Sequence, residues 1–217
     1  MGYSIKLFNI KENKYEVLQT LNDHTDLVNK IIELKNKALV SCSWDSSIIF
    51  YVEDNTKYKK DYQMSTNGSC NCIIQTKDNE ICFYEDNNST ICFYDLLERK
   101  VKSSISNISN CNMIMMTKDL LLITGENKIS IINVNNYKLR IINVLEADGI
   151  CGICILNQNM LLTGDQSKII RQWRIEGDNL ILVSKKEKAH DNWINVLLNL
   201  GNGHIASGSW DETIKIW

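Results

Sequence analysis

Two segments of the chain repeat the same sequence pattern with the same internal spacing. Residues 39–51 and 205–217 each contain a strand of small residues, the tripeptide Ser-Trp-Asp and an apolar strand that ends in an aromatic residue. His24 and His190 each stand 21 residues before the aspartate of their copy. Such a repeat constrains the fold strongly, because both copies must form the same structural unit.

The repeat extends along the chain with a period of about 42 residues. A large apolar side chain ends the third strand of each predicted unit. These positions are Phe8, Tyr51, Tyr94, Ile132, Trp173 and Trp217. In the first full unit, β-branched and apolar runs between short polar turns predict strands at 27–33, 37–43, 47–53 and 57–64. Four short strands per unit predict an all-β chain, a β-propeller of four-stranded antiparallel blades.

The units resemble the WD40 repeat. In that family a histidine before the first strand, a serine or threonine on the second, an aspartate in the next turn and a tryptophan on the third strand form a hydrogen-bonded set. The resemblance implies two such structural sets here, with tyrosine replacing tryptophan in the first. Their members are His24, Ser41, Asp45 and Tyr51, and His190, Ser207, Asp211 and Trp217.

The three middle units keep only parts of this set. Their residues at the family positions are Asn88 and Tyr94 in the second unit, Glu126 in the third, and Glu146, Thr163, Ser167 and Trp173 in the fourth. We therefore expect the complete hydrogen-bonded set only in the first full blade and in the last.

The resemblance also implies how the chain is organised. We expect a single WD-repeat domain over residues 1–217, with complete blades between two partial ones. Its parts are a partial blade at 1–21, blades at about 22–64, 65–106, 107–146 and 147–187, and an incomplete blade at 188–217. Propellers of this family usually have seven blades, so these roughly five blades are expected to form an open part of a seven-bladed propeller. The alternative is closure with five blades, in which the strand at 14–21 completes the last one.

Charge and composition limit the partners and the compartment. The net charge is −2 and the pI is about 6.0, so the basic footprint of nucleic-acid binding is missing and nucleic acid is not expected as a partner.

No run of 18 apolar residues predicts a membrane span, and the N-terminal segment lacks the apolar core of a signal peptide. The eight cysteines lie mostly among apolar residues, as reduced thiols do. We expect a cytoplasmic protein, with a nuclear location as the alternative, and no membrane partner.

Patterns that suggest catalysis or metal binding have structural explanations. The combination of Ser, His and Asp occurs twice, whereas a catalytic site is normally unique, and no nucleophile elbow accompanies it. Cys151 and Cys154 have the spacing of metal and redox motifs, but they lie in an apolar strand and no second pair of this kind exists. We therefore expect no enzyme activity, no metal, no cofactor and no small-molecule substrate.

Four large side chains are candidate contacts to a partner. Trp44 and Trp210 precede the turn aspartates, which the resemblance places at the mouth of the propeller. Trp193 and Leu27 begin inner strands near the same face. Exposed tryptophan is frequent at binding hot spots, although such rings can also pack on neighbouring loops.

These residues favour a protein-interaction scaffold or adaptor that binds proteins or peptides at the mouth. Two alternatives remain, a propeller enzyme that uses the central channel and a ribonucleoprotein component. The enzyme needs converging carboxylates, histidines or metal ligands, and the sequence offers no uniform set. The ribonucleoprotein component needs a basic mouth, for which Lys168, Arg171 and Arg174 provide only a weak local patch.

Overall fold

The computed structural model of the chain describes 21 strands and no helix. The described residues are 3–11, 14–108, 111, 113–117, 119–125, 128–143, 149–176 and 179–217. Among them there is no apolar helix of the length that crosses a membrane. Contacts within the chain define two compact units, residues 1–107 and 108–217.

The first unit contains three antiparallel sheets whose strands are arranged in chain order. Sheet 1 consists of β1 (Ile5–Lys11) and β2 (Lys14–Leu21). Sheet 2 consists of β3 (Val28–Glu33), β4 (Leu39–Ser43), β5 (Ser47–Asp54) and β6 (Lys57–Ser65). Sheet 3 consists of β7 (Cys70–Lys77), β8 (Glu80–Glu85), β9 (Thr90–Asp95) and β10 (Lys100–Ile105). The observed ends of the strands in sheet 2 lie within two residues of the predicted ones.

The second unit also contains three antiparallel sheets in chain order. Sheet 4 consists of β11 (Met113–Thr117), β12 (Leu120–Thr124), β13 (Lys128–Asn133) and β14 (Lys138–Asn143). Sheet 5 consists of β15 (Ile150–Asn157), β16 (Met160–Asp165), β17 (Ile170–Glu176) and β18 (Asn179–Lys186). Sheet 6 consists of β19 (Ile194–Gly201), β20 (His204–Ser209) and β21 (Ile214–Ile216). The prediction of an all-β chain with four-stranded antiparallel blades is confirmed.

Sheets of the first unit stack through strands that are buried on both faces. Successive side chains of a strand point to opposite faces, so Ile48 and Phe50 of β5 face one way and Ile49 and Tyr51 the other. The first pair packs with buried side chains of sheet 3, and the second packs with Ile5 of sheet 1. Full burial of such a side chain contributes about 1.5–3 kcal/mol, so β5 stabilises two interfaces at once.

Sheet 5 has the same double role in the second unit. Leu161 and Trp173 pack with sheet 4, whereas Leu162 and Ile170 pack with sheet 6. Sheets 5 and 6 approach closely at Gly164, where an added Cβ would lie 2.5 Å from Cγ2 of Ile194. The absence of a side chain at this position therefore sets the spacing between the two sheets.

We expect Gly164→Ala to destabilise the chain by about 1–3 kcal/mol, because the new methyl group overlaps a branched side chain that cannot swing away. The matched control is Gly208→Ala at the corresponding position of sheet 6, where the new Cβ would lie 3.8 Å from Cβ of Val196. Urea unfolding followed by tryptophan fluorescence measures both variants. Equal stability of the two variants would contradict the close packing at Gly164.

Candidate functional site

The loop that enters sheet 2 is held by a buried histidine. His24 Nδ1 lies 2.8 Å from Asp45 Oδ2, and its Nε2 lies 2.7 Å from Ser41 Oγ. Because a carboxylate only accepts, Nδ1 carries the ring hydrogen and the serine hydroxyl donates to Nε2. Asp45 also accepts from the amide of Thr25 at 3.0 Å and from the hydroxyl of Ser47 at 2.6 Å. The network thus connects the incoming loop, the second strand and the turn.

The same arrangement recurs in sheet 6. His190 Nδ1 lies 2.9 Å from Asp211 Oδ2, and Nε2 lies 2.6 Å from Ser207 Oγ. Asp211 also accepts from the amide of Asp191 at 2.8 Å. Trp217 Nε1 donates to Ser207 Oγ at 2.8 Å, which completes a chain of hydrogen bonds from indole to carboxylate. The structure therefore brings together the four members of the second predicted set.

In the network of sheet 2, Tyr51 occupies the position that Trp217 has in the network of sheet 6. Tyr51 is fully buried, and its hydroxyl makes no hydrogen bond of normal geometry with a described residue. Burial raises the pKa of Tyr51 to about 12, the Ser41 hydroxyl lowers it, and the nearby Asp23 carboxylate adds to the rise. The network of sheet 2 therefore lacks the hydrogen bond that Trp217 donates to Ser207 in sheet 6.

Both turn aspartates are stabilised in their ionised form. Burial alone would raise the pKa of Asp45, but hydrogen bonds from Ser47, from the amide of Thr25 and from His24 lower it below its ordinary value. The pKa of Asp211 is lowered further, because hydrogen bonds from Thr213, from the amide of Asp191 and from His190 outweigh burial. These carboxylates are therefore structural acceptors at neutral pH.

In sheet 3 the carboxylate that accepts hydrogen bonds from the loop belongs to a residue that the repeat pattern did not predict. Glu85, at the end of β8, is buried and accepts from the amide of Asn67 at 3.1 Å and from its side chain at 3.3 Å. Asn88, which occupies the aspartate position of the repeat, is exposed. The carboxylate has thus moved from the turn to the end of the preceding strand. An acidic residue that ends an apolar run, as in ICFYE, is the signal that could have found it.

Sheet 5 shows the same displacement. Asp165 ends β16, is fully buried, accepts from the amide of Ile169 at 3.3 Å and forms an ion pair with the buried Arg171. Ser167, at the aspartate position of the repeat, is exposed. Burial removes Arg171 from the surface, and Arg174 pairs with Glu176 at 2.6 Å. These contacts further weaken the local basic patch of Lys168, Arg171 and Arg174, which was already weak in the sequence.

Two further residues of the degenerate units, Glu126 and Glu146, lie outside the described residues. Cys151 is half-buried and Cys154 is buried in β15, and both are free thiols. In the part of the chain that the structure describes, no three His, Cys, Asp or Glu side chains form a group that could hold a metal ion.

Trp44 and Leu27 form an exposed apolar surface at the loop end of sheet 2, the Leu27–Trp44 surface. Their side chains are 49% and 48% exposed, and the Trp44 amide donates to the Leu27 carbonyl at 2.9 Å. Trp44 Nε1 donates to Asn71 Oδ1 at 3.0 Å, and Asn71 also accepts from Asn29 at 3.0 Å. Asn71 is not among the predicted contact residues. The indole is therefore fixed in orientation while about half of the Trp44 side chain remains open to solvent.

Trp193 and Trp210 form the corresponding Trp193–Trp210 surface at the loop end of sheet 6. They are 40% and 61% exposed, and their ring centroids lie 5.7 Å apart with the ring planes tilted by 45°. The Trp210 amide donates to the Trp193 carbonyl at 3.0 Å, which repeats the backbone contact between Trp44 and Leu27. The structure therefore places the four candidate contact residues in two equivalent pairs.

Comparison with known proteins agrees with this geometry. Residues 183–217 match the model of the family described as WD domain, G-beta repeat. The chain is similar to the solved structure of U3-55K, with a TM-score of 0.81 and 10% identity over 99% of this chain and 71% of that one. The crystal structure of the RRP9 WD40 repeats gives a TM-score of 0.82 and 10% identity, over 99% of this chain and 70% of that one. A chain in the crystal structure of the mitotic checkpoint complex gives a TM-score of 0.81 and 13% identity, over 100% of this chain and 68% of that one.

The chain has the fold of a WD40 β-propeller. No curated protein sequence matches it. WD40 propellers are typical protein-interaction scaffolds. In this chain the two histidine networks hold the loops that enter sheets 2 and 6. Because His24, Ser41, His190 and Ser207 are buried, these side chains serve the framework of the WD40 propeller.

We expect His24→Ala to lower the free energy of unfolding by about 1–3 kcal/mol, because Ser41 and Asp45 lose their buried partner. His204→Ala, which removes an exposed histidine at the start of β20, is the control. Urea unfolding and limited proteolysis of the segment 22–64 measure the effect. Unchanged stability and protease resistance of His24→Ala would show that this network does not hold the blade.

The turn aspartates predict a loss of stability in acid. The pKa of Asp45 is lower in the folded chain than in the unfolded one, so its contribution is complete above a pH of about 4 and is lost as the pH falls through the folded value. The urea midpoint should therefore fall less between pH 6 and pH 3 in Asp45→Asn than in the wild type. Glu53→Gln, which removes an exposed carboxylate of β5, should retain the wild-type pH dependence. If the urea midpoint of Asp45→Asn depended on pH as that of the wild type does, the stabilising role of the Asp45 carboxylate would be contradicted.

Proposed function

We propose that this chain is a protein-interaction scaffold whose partners dock on the Leu27–Trp44 and Trp193–Trp210 surfaces. The observation that carries the proposal is the equivalent exposure of two indoles 166 residues apart, each beside a loop held by a buried histidine network. Exposed tryptophan on a rigid support is the side chain most enriched at binding hot spots. Rigid loops also lose little conformational entropy when a partner binds.

Burial of the serine, histidine and aspartate sets supports a scaffold without enzyme activity. Ser41 and Ser207 are fully buried, and each hydroxyl is engaged by a histidine ring. A nucleophile must reach its substrate, so these hydroxyls are poorly placed for catalysis. The proposal therefore assigns both sets to the framework and the function to the loops.

The surface chemistry supports protein rather than nucleic acid as the partner. Arg171, one of the three residues of the weak basic patch in the sequence, is buried with Asp165. Seven of the eight free cysteines are buried, which is typical of intracellular proteins. We accordingly propose that the scaffold works in the cytoplasm, with the nucleus as the alternative.

The test is affinity purification of the full chain from cells, with Trp44→Ala and Trp210→Ala compared with wild type by quantitative mass spectrometry. Loss of a hot-spot tryptophan weakens binding by about 2 kcal/mol or more, so we expect partners to be depleted by at least tenfold in one of the two variants. Leu97→Ala is the control, because Leu97 is 73% exposed in the turn between β9 and β10, at the other end of sheet 3. Equal recovery of all partners with the three variants would refute the proposal.

A further inference from the structure

The Leu27–Trp44 surface lies among loops of one charge sign. Four loops surround it at this end of sheets 2 and 3, and they connect β2 to β3, β4 to β5, β6 to β7 and β8 to β9. These loops are residues 22–27, 44–46, 66–69 and 86–89. They contain four aspartates and no lysine or arginine. The amide of Asp86 donates to the carbonyl of Ser69, and Asn71 bonds Trp44, so the loops of both sheets meet here.

The opposite end of the same two sheets has mixed charges. The loops there are residues 34–38, 55–56, 78–79 and 96–99. They contain Lys35, Lys37 and Arg99 together with Asp78 and Glu98. The excess of acidic residues is therefore confined to the end that carries the exposed indole.

Three of the four aspartates keep part of their surface open to a partner, although Asp26 accepts from the Leu27 amide at 2.7 Å and Asp23 lies near the Tyr51 hydroxyl. Asp45 is engaged by His24 and the turn, whereas Asp23 and Asp26 are half-buried and Asp86 is exposed. None of these three forms an ion pair with a described lysine, arginine or histidine. Their negative charge is thus uncompensated beside an apolar surface.

The indole itself favours a cation. Asn71 satisfies the indole N–H of Trp44, so the exposed part of the ring offers a partner only its apolar edge and its electron-rich face. The face of tryptophan attracts ammonium and guanidinium groups. Lysine and arginine can also lay their aliphatic stems on apolar surface while the charged ends reach carboxylates. Leu27 and the neighbouring aspartates provide both environments.

We propose that the Leu27–Trp44 surface binds a basic segment of a partner protein, with a lysine or arginine side chain against the Trp44 ring and further cations facing Asp23, Asp26 and Asp86. This inference rests on the proposed scaffold function and names the chemistry of its partner. The same uncompensated carboxylates repel phosphate groups, so charge complementarity selects a cationic peptide.

The probe is a displayed library of random peptides, selected against the full chain at low salt. We expect the enriched peptides to carry at least two lysine or arginine residues near an apolar one. A synthetic copy of the best peptide is then measured by fluorescence anisotropy. The triple variant Asp23→Asn, Asp26→Asn, Asp86→Asn should weaken binding on the order of tenfold and reduce its salt dependence.

The control is the triple variant Asp54→Asn, Asp61→Asn, Asp78→Asn, which removes the same charge away from these loops. It should bind the peptide as the wild type does, and thermal unfolding checks that all variants are folded. Selected peptides that are neutral or acidic but still require Trp44 would overturn this inference and leave the proposed function intact. If no selected peptide loses affinity in Trp44→Ala, the surface binds no peptide, and both proposals fail for it.

Discussion

A four-stranded sheet of this chain cannot bury both of its apolar faces by itself. The burial of β5 shows the consequence, because its alternate side chains pack with sheet 1 on one face and with sheet 3 on the other. Sheet 5 divides its side chains in the same way between sheets 4 and 6. The stability of each sheet therefore depends on its neighbours, which is the energetic basis of every repeat architecture.

Stacked sheets leave the loops to be organised separately, and buried polar networks perform this task. Each complete network joins a loop amide, a turn carboxylate, an imidazole and a serine hydroxyl from distant parts of the sequence. A buried imidazole without partners would be costly, so the network has essentially one satisfied arrangement. That arrangement fixes the backbone beside Trp44 and Trp210, the residues to which we assign partner binding.

The repeat in the sequence was sufficient to predict the class of fold and the strands of sheet 2. The resemblance to the WD40 repeat, rather than the spacing itself, implied which residues meet around His24 and His190. It did not predict Asn71, whose role depends on contact between two sheets. Nor did it predict Glu85 or the pairing of Asp165 with Arg171, since both carboxylates stand outside the family positions and only burial reveals what they accept.

The displaced carboxylates of sheets 3 and 5 have a consequence for how the repeats diverge. Once Glu85 and Asp165 hold their loops from the strand ends, the turn tips at Asn88 and Ser167 are exposed and no longer require an aspartate. Mutations can accumulate there without loosening the blade. Repeat units with the same framework can in this way carry different residues in their exposed turns. A degenerate repeat therefore changes the chemistry of the surface while the packing of the sheets is kept.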